Sequence, residues 1–202
     1  MTRPDAATIL RGKHRGETAW IIGSGPSLGN LAARHIGQGP VIAMNSSIAV
    51  VQELGLTNPI YSLQKDGCSL REIPGHECGE YMVYPRPEIT LVLMAEGFSE
   101  LCLSEHTNRV WLDFVTEYGL HPPSMVIGIA IALALRTMGC SRLMFVCCDS
   151  LLGDEPERLA RYDHRARKIV PEPSCANYSA VRQIVLAEAD SAPYYIITPE
   201  AL

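Results

Sequence analysis

The residues best placed to do chemistry open with Gly23-Ser-Gly-Pro-Ser27, directly after the apolar run Ala19 to Ile22. Glycines at 23 and 25 permit close backbone approach or positive φ, and Pro26 suits the first position of a helix. An anion at that helix start would meet free N–H groups and the positive end of the helix dipole, so the turn reads as a phosphate-handling element. An ordinary strand-to-helix turn is the competing reading, because α/β folds use such turns for many purposes. Two further polar sites follow apolar runs: Asn45 with Ser46 and Ser47 after Pro40 to Met44, and Asp149 with Ser150 after Arg142 to Cys148. Ser124 stands before the apolar stretch Met125 to Leu135, in the place of a helix cap.

The elements that must carry these residues alternate between strand and helix. A strand ends at Ile22, a helical pattern runs from Leu28 to Ile36, and a second strand covers Pro40 to Met44. A helix from Ile48 to Leu54, capped by Ser46 or Ser47 and ended by Gly55, leads to a third strand over Pro59 to Leu63. That alternation predicts a mainly parallel sheet flanked by helices, a single Rossmann-like α/β domain over residues 1–202. Residues 1–17 read as a loose, solvated lead-in. The signal weakens between Gly67 and Asn108, where Tyr81 to Tyr84 and Ile89 to Met94 are candidate strands. Arg109 to Phe114 and Arg142 to Cys148 are stronger strands. Met125 to Leu135 reads as a buried helix ended near Gly139, Ser174 to Glu188 as a further helix, and Tyr194 to Thr198 as the last strand.

Composition narrows the function. The chain has 202 residues, 47% of them hydrophobic, and a net charge of −5, which disfavours a nucleic-acid-coating role. The Arg-rich segment from Arg158 to Lys168 is the local exception. Seven cysteines without a C-x-x-C pair, and no signal-peptide pattern, point to a reduced, cytoplasmic protein. Cys140, Cys147 and Cys148 read as small core residues, while Cys68, His76 and Cys78 form at most part of a metal site, and no metal ligand set is predicted. The longest apolar stretch is too short to span a bilayer.

Neither common nucleotide scheme fits. The dinucleotide fingerprint requires a third glycine where Leu28 stands and an acidic residue where Asn45 stands, and a Walker A loop requires a Gly-Lys-Ser/Thr tripeptide absent from the chain. Ile22-Gly-Ser-Gly-Pro-Ser-Leu28, Met44-Asn45-Ser46, and Ser124 to Leu133 followed by Gly139 to Asp149 instead resemble bacterial sialyltransferases of the lipooligosaccharide type. They also resemble the related motility accessory factors and archaeal-type 6-hydroxymethylpterin pyrophosphokinases. Tyr195 to Leu202 is similar to the strand and Pro-containing turn that close the sialyltransferase catalytic region.

The resemblance implies a glycosyltransferase taking a nucleotide-sugar donor, CMP- or UDP-linked, and a hydroxyl acceptor. Gly23, Ser24, Gly25, Pro26, Ser27, Asn45 and Ser124 would line the nucleotide. Two positions depart from the family pattern. Met125 replaces a glycine, and Ser174 falls where the family's catalytic histidine is expected, which removes the imidazole base. His164 is the displaced candidate base, with a solvated surface histidine as its alternative. Tyr162 and the neighbouring arginines would stabilise a departing phosphate, and Asp149 completes the candidate catalytic set. A pyrophosphokinase reading would use ATP and Mg²⁺, with Asp149 joined by Asp154 or Asp66. A non-catalytic binding protein is the third reading, and a homo-oligomer is compatible with all of them.

Overall fold

The computed structural model describes residues 4–64, 85–94, 107–113, 118–119, 126–171 and 178–202. Seven parallel strands form one sheet: β1 (Thr18–Ile22), β2 (Val41–Met44), β3 (Ile60–Gln64), β4 (Thr90–Met94), β5 (Arg109–Leu112), β6 (Arg142–Val146) and β9 (Tyr194–Ile196). Their spatial order is β5-β4-β3-β2-β1-β6-β9. Two short strands, β7 (Arg161–Asp163) and β8 (Lys168–Val170), pair antiparallel as a separate hairpin. The chain is therefore a Rossmann-like α/β protein, as its alternating apolar runs predict.

Both faces of the sheet are covered, which explains why its strands read as continuous apolar runs. On one face Ile21, Ile42, Tyr61 and Phe145 pack with the helix α3 (Val126–Ala132). On the other, Ile22, Val41, Ala43 and Val146 pack with Leu28 and Ile48. Ile48 begins α2 (Ile48–Val51), a single turn where the sequence predicts a helix to Leu54. Ser47 does not cap that helix. Its buried hydroxyl donates to Ile22 O at 3.0 Å, tying the end of β2 to the end of β1.

α3 continues into a wider helical turn over Leu133–Thr137, where Met138 N donates to Leu133 O, and ends at Gly139 with φ +77°. The carbonyls left over at this end are satisfied by a segment remote in sequence. Gly12 N reaches Thr137 O, His14 N reaches Met138 O and Gly16 N reaches Gly139 O, at 2.7 to 3.0 Å.

These bonds correct the loose lead-in expected for residues 1–17. Residues 4–17 carry α1 (Ala6–Ile9), capped by the Asp5 carboxylate, and Pro4 O accepts from Trp111 N at the outer edge of β5. Ala6, Ala7 and Leu10 are core residues. His14 is buried between Glu17 Oε1, 3.3 Å from Nδ1, and Tyr61 Oη, 2.7 Å from Nε2. The Glu17 carboxylate makes Nδ1 a donor, and Nε2 shares the second hydrogen bond with the Tyr61 hydroxyl. Burial, reinforced by Cys140 and Glu17, pushes the Tyr61 phenol up to about 12.

A docked lead-in has a measurable consequence. Leu10→Ala should cost about 3 kcal/mol of stability through the cavity it leaves, read by urea denaturation. A loss below about 0.5 kcal/mol, the range of exposed sites, would mean that the segment contributes no core.

Candidate functional site

The strand order places a switch point between β1 and β6. From β1 the chain steps outward through β2, β3, β4 and β5, then returns to lay β6 on the other side of β1. Open α/β sheets bind ligands outside the carboxyl ends of the strands at such a point. Here the carboxyl ends are Ile22, paired with Val146, and the turns that follow them. A cavity of about 100 Å³ lies there, walled by Gly23 to Gly25, Met44, Val126, Cys147 to Ser150, Arg158 and Arg161 among others. The volume suits a phosphate-sized portion of a ligand and is below that of a whole-ligand pocket, about 300 Å³ or more.

The glycine turn is built differently from a phosphate loop. Gly23 N donates to Val146 O and Gly25 N to Cys147 O, at 2.9 and 3.0 Å, so both amides are spent on the end of β6. A Cβ at Gly23 would lie 2.4 Å from Cys147 O, and one at Gly25 would lie 2.1 Å from Asp149 Oδ2. The glycines are there to bring two strand ends together. Pro26 does begin a helical turn, but that turn is a 3₁₀ segment over Pro26–Asn30, followed by another over Ala33–His35, where the sequence predicts one helix from Leu28 to Ile36.

The anion at this turn is supplied by the protein. Asp149 Oδ2 accepts from the Ser27 hydroxyl at 2.8 Å and from Ser27 N at 3.3 Å, all of it buried. Ser27 is therefore committed to Asp149, in place of the ligand contact expected from the sequence. Ser24 differs: it lines the cavity, and its N–H and hydroxyl have no partner among the described residues.

Asp149 is held from behind as well. Arg182, on α5 (Tyr178–Ala189), donates to Ser150 O at 2.8 Å, to Gly153 O at 2.6 Å and to Asp154 Oδ1 at 2.7 Å, bracing the loop after β6. That use of Asp154 removes it from the pairing with Asp149 expected for a magnesium site. Among the described residues no three His, Cys, Asp or Glu side chains cluster as a metal site. Asp66 and the Cys68, His76 and Cys78 group lie outside the described residues.

The thiols of the wall are inert. Burial, helped by the Asp149 charge and opposed by a Ser27 hydrogen bond, pushes Cys147 up to about 12. Burial likewise holds Cys148 well above the ordinary thiol range. Neither is a thiolate at neutral pH, so both serve as small wall-forming residues.

Of the candidate catalytic residues, only Asp149 lines the cavity. Its Oδ1 has no partner among the described residues, whereas Oδ2 is fixed by Ser27. Tyr162 sits on the hairpin. Its N–H donates to Ser24 O at 2.8 Å, and its ring occupies the space a side chain at Gly29 would fill. His164 belongs to the hairpin turn and does not line the cavity. Burial first, then the adjacent Arg165, lowers its pKa. The segment from Pro156 to Val170 is thus a short helix α4 (Pro156–Leu159) and a hairpin.

Asn45 adopts φ +48° at the end of β2, and its carbonyl accepts from Gln64 Nε2 at 3.1 Å. Met44, its neighbour, lines the cavity in its stead. Ser124 and Ser174 lie outside the described residues. The residues that the sequence left unassigned are Arg182, Met44 and Arg158. The run of arginines flagged the third, but nothing local marks the other two.

The chain matches no protein-family model and no curated protein. Among the described residues no helix is long and apolar enough to cross a membrane.

Proposed function

We propose that the protein is a nucleotide-dependent transferase, a glycosyltransferase whose cavity takes the phosphate-bearing portion of a nucleotide-sugar donor. The observation that carries this reading is the placement of Arg158, Arg161 and Ser24, its N–H and hydroxyl unpartnered among the described residues, around one cavity at the switch point of the sheet. Guanidinium groups and a free N–H complement a phosphate and the charge it gains on departure. Asp149, with Oδ2 anchored and Oδ1 unpartnered, is the base of this reading. It takes the proton of the acceptor hydroxyl as that oxygen bonds to the sugar and the bond from the sugar to the nucleotide phosphate breaks. The arginines receive the leaving phosphate. The pyrophosphokinase alternative would need Asp66, or Asp154 released from Arg182, beside Asp149.

A thermal-shift panel of CMP, UDP, GDP, ADP and ATP tests the proposal. At least one nucleotide should raise the Tm of the wild type. Arg158→Gln should cut its affinity about tenfold or more, the worth of one charge-assisted phosphate contact. Among the described residues the Arg158 side chain pairs with Glu155 alone, at 3.2 Å, so the substitution should leave the unliganded Tm in place. If no nucleotide stabilises the wild type, the proposal fails.

A further inference from the structure

The β7–β8 hairpin is anchored at one end and cationic at the other. Its register pairs Arg161 with Val170, Tyr162 with Ile169 and Asp163 with Lys168. The anchored end is Arg161 in the cavity wall and Tyr162, bonded to Ser24 O and seated against Gly29. At the other end Arg165, Arg167 and Lys168 are exposed. Their three side chains have no ion-pair or hydrogen-bond partner among the described residues, although the chain as a whole carries a net charge of −5. Asp163 makes no ion pair with them and turns its carboxylate onto Arg165 N and Ala166 N, at 2.9 and 3.1 Å.

Cations left unpaired on an ordered element, in a chain with excess acid, make a local positive field. At its anchored end the hairpin adjoins the cavity, which Arg158 and Arg161 line. From this placement we infer that the hairpin is the binding arm for a multiply anionic acceptor, phosphate- or carboxylate-bearing, whose reacting hydroxyl reaches the cavity beside Arg161. The inference rests on the transferase reading for the acceptor's role, but anion binding by the arm stands separately. A nucleic acid is the poorer fit, since its binding rests on neutralising many backbone phosphates, and here three cations unpaired among the described residues sit on one short hairpin.

His164 lies within the arm and reports on it, because Arg165 and Arg161 help to hold its pKa down. An anion neutralising those charges must raise it. The experiment titrates the full chain at low salt with inorganic tripolyphosphate and, separately, with tetragalacturonate, following affinity by calorimetry and the His164 ring by NMR. One or both probes should bind and raise the His164 pKa. The triple variant Arg165→Gln, Arg167→Asn, Lys168→Gln should lose about tenfold or more in affinity with its Tm unchanged. Asparagine is chosen at 167 because the backbone there has φ +52°. Should the triple variant melt early, Arg165→Gln and Lys168→Gln singly give the same reading.

Failure of both probes to bind, or binding that the variants leave unweakened, overturns the inference. Tighter binding of an oligothymidylate than of either probe overturns it too, by assigning the face to nucleic acid. The nucleotide panel separates the two proposals. Hairpin-dependent anion binding without any nucleotide effect sinks the transferase and leaves the arm, whereas the reverse sinks the arm alone.

Discussion

Gly25→Ala is expected to destabilise the protein by about 4 kcal/mol, combining overpacking with a disturbed buried charged hydrogen bond. The methyl group would sit 2.1 Å from Asp149 Oδ2 and 2.8 Å from Cys147 O. Neither neighbour can yield easily. Cys147 O is backbone and accepts from Gly25 N itself, and the Asp149 carboxylate is fixed by Ser27. For a chain of this length the loss corresponds to a Tm lower by roughly 8–16 °C. The double variant Gly25→Ala with Asp149→Ala should recover part of the loss, because it removes one of the two collisions. A Gly25→Ala protein that melts within a degree or two of the wild type would show that the turn does not press on the end of β6.

That clash was hidden in the sequence for a simple reason: Ser27 and Asp149 lie 122 residues apart. A Gly-Ser-Gly-Pro-Ser stretch after an apolar run looks the same whether its donors face a ligand or another strand end. The strands themselves were legible because burial on both faces demands unbroken apolar runs, as in Ala19 to Ile22 and Leu143 to Val146. The long buried helix was legible too, although its alternating isoleucines imitate a strand.

The lead-in was not legible. Leu10 and His14 sit among Arg, Lys and Gly, and only the end of α3 and Tyr61, far along the chain, make them core residues. The helical pattern of Leu28 to Ile36 misled for a local reason. Gly29 and Asn30 weaken an α-helix, and the close seat of Tyr162 on Gly29 favours the tighter 3₁₀ turn. A cavity does lie at the strand ends that the sequence singles out, but the part each residue plays there depends on pairings that no spacing rule encodes.

Asp149→Asn separates the chemistry of the site from its architecture. An asparagine oxygen in the place of Oδ2 still accepts from the Ser27 hydroxyl, so the turn keeps its shape, and the change should cost only about 1 kcal/mol of stability. What disappears is the basic oxygen in the cavity wall. Under the transferase reading, turnover of the nucleotide sugar identified by the panel should fall by about 10²–10⁴, the contribution of a positioned general base. Nucleotide affinity should change no more than a few-fold, since Arg158, Arg161 and Ser24 are untouched. Ser27→Ala should fall between the variant and the wild type, because it keeps the carboxylate but loses the hydroxyl that orients it. His164→Ala should retain turnover, since that ring stands in the hairpin turn and not in the cavity wall. The reverse pattern, an Asp149→Asn protein as active as the wild type and a His164→Ala protein without turnover, would move the base to the hairpin and sink the role assigned to Asp149.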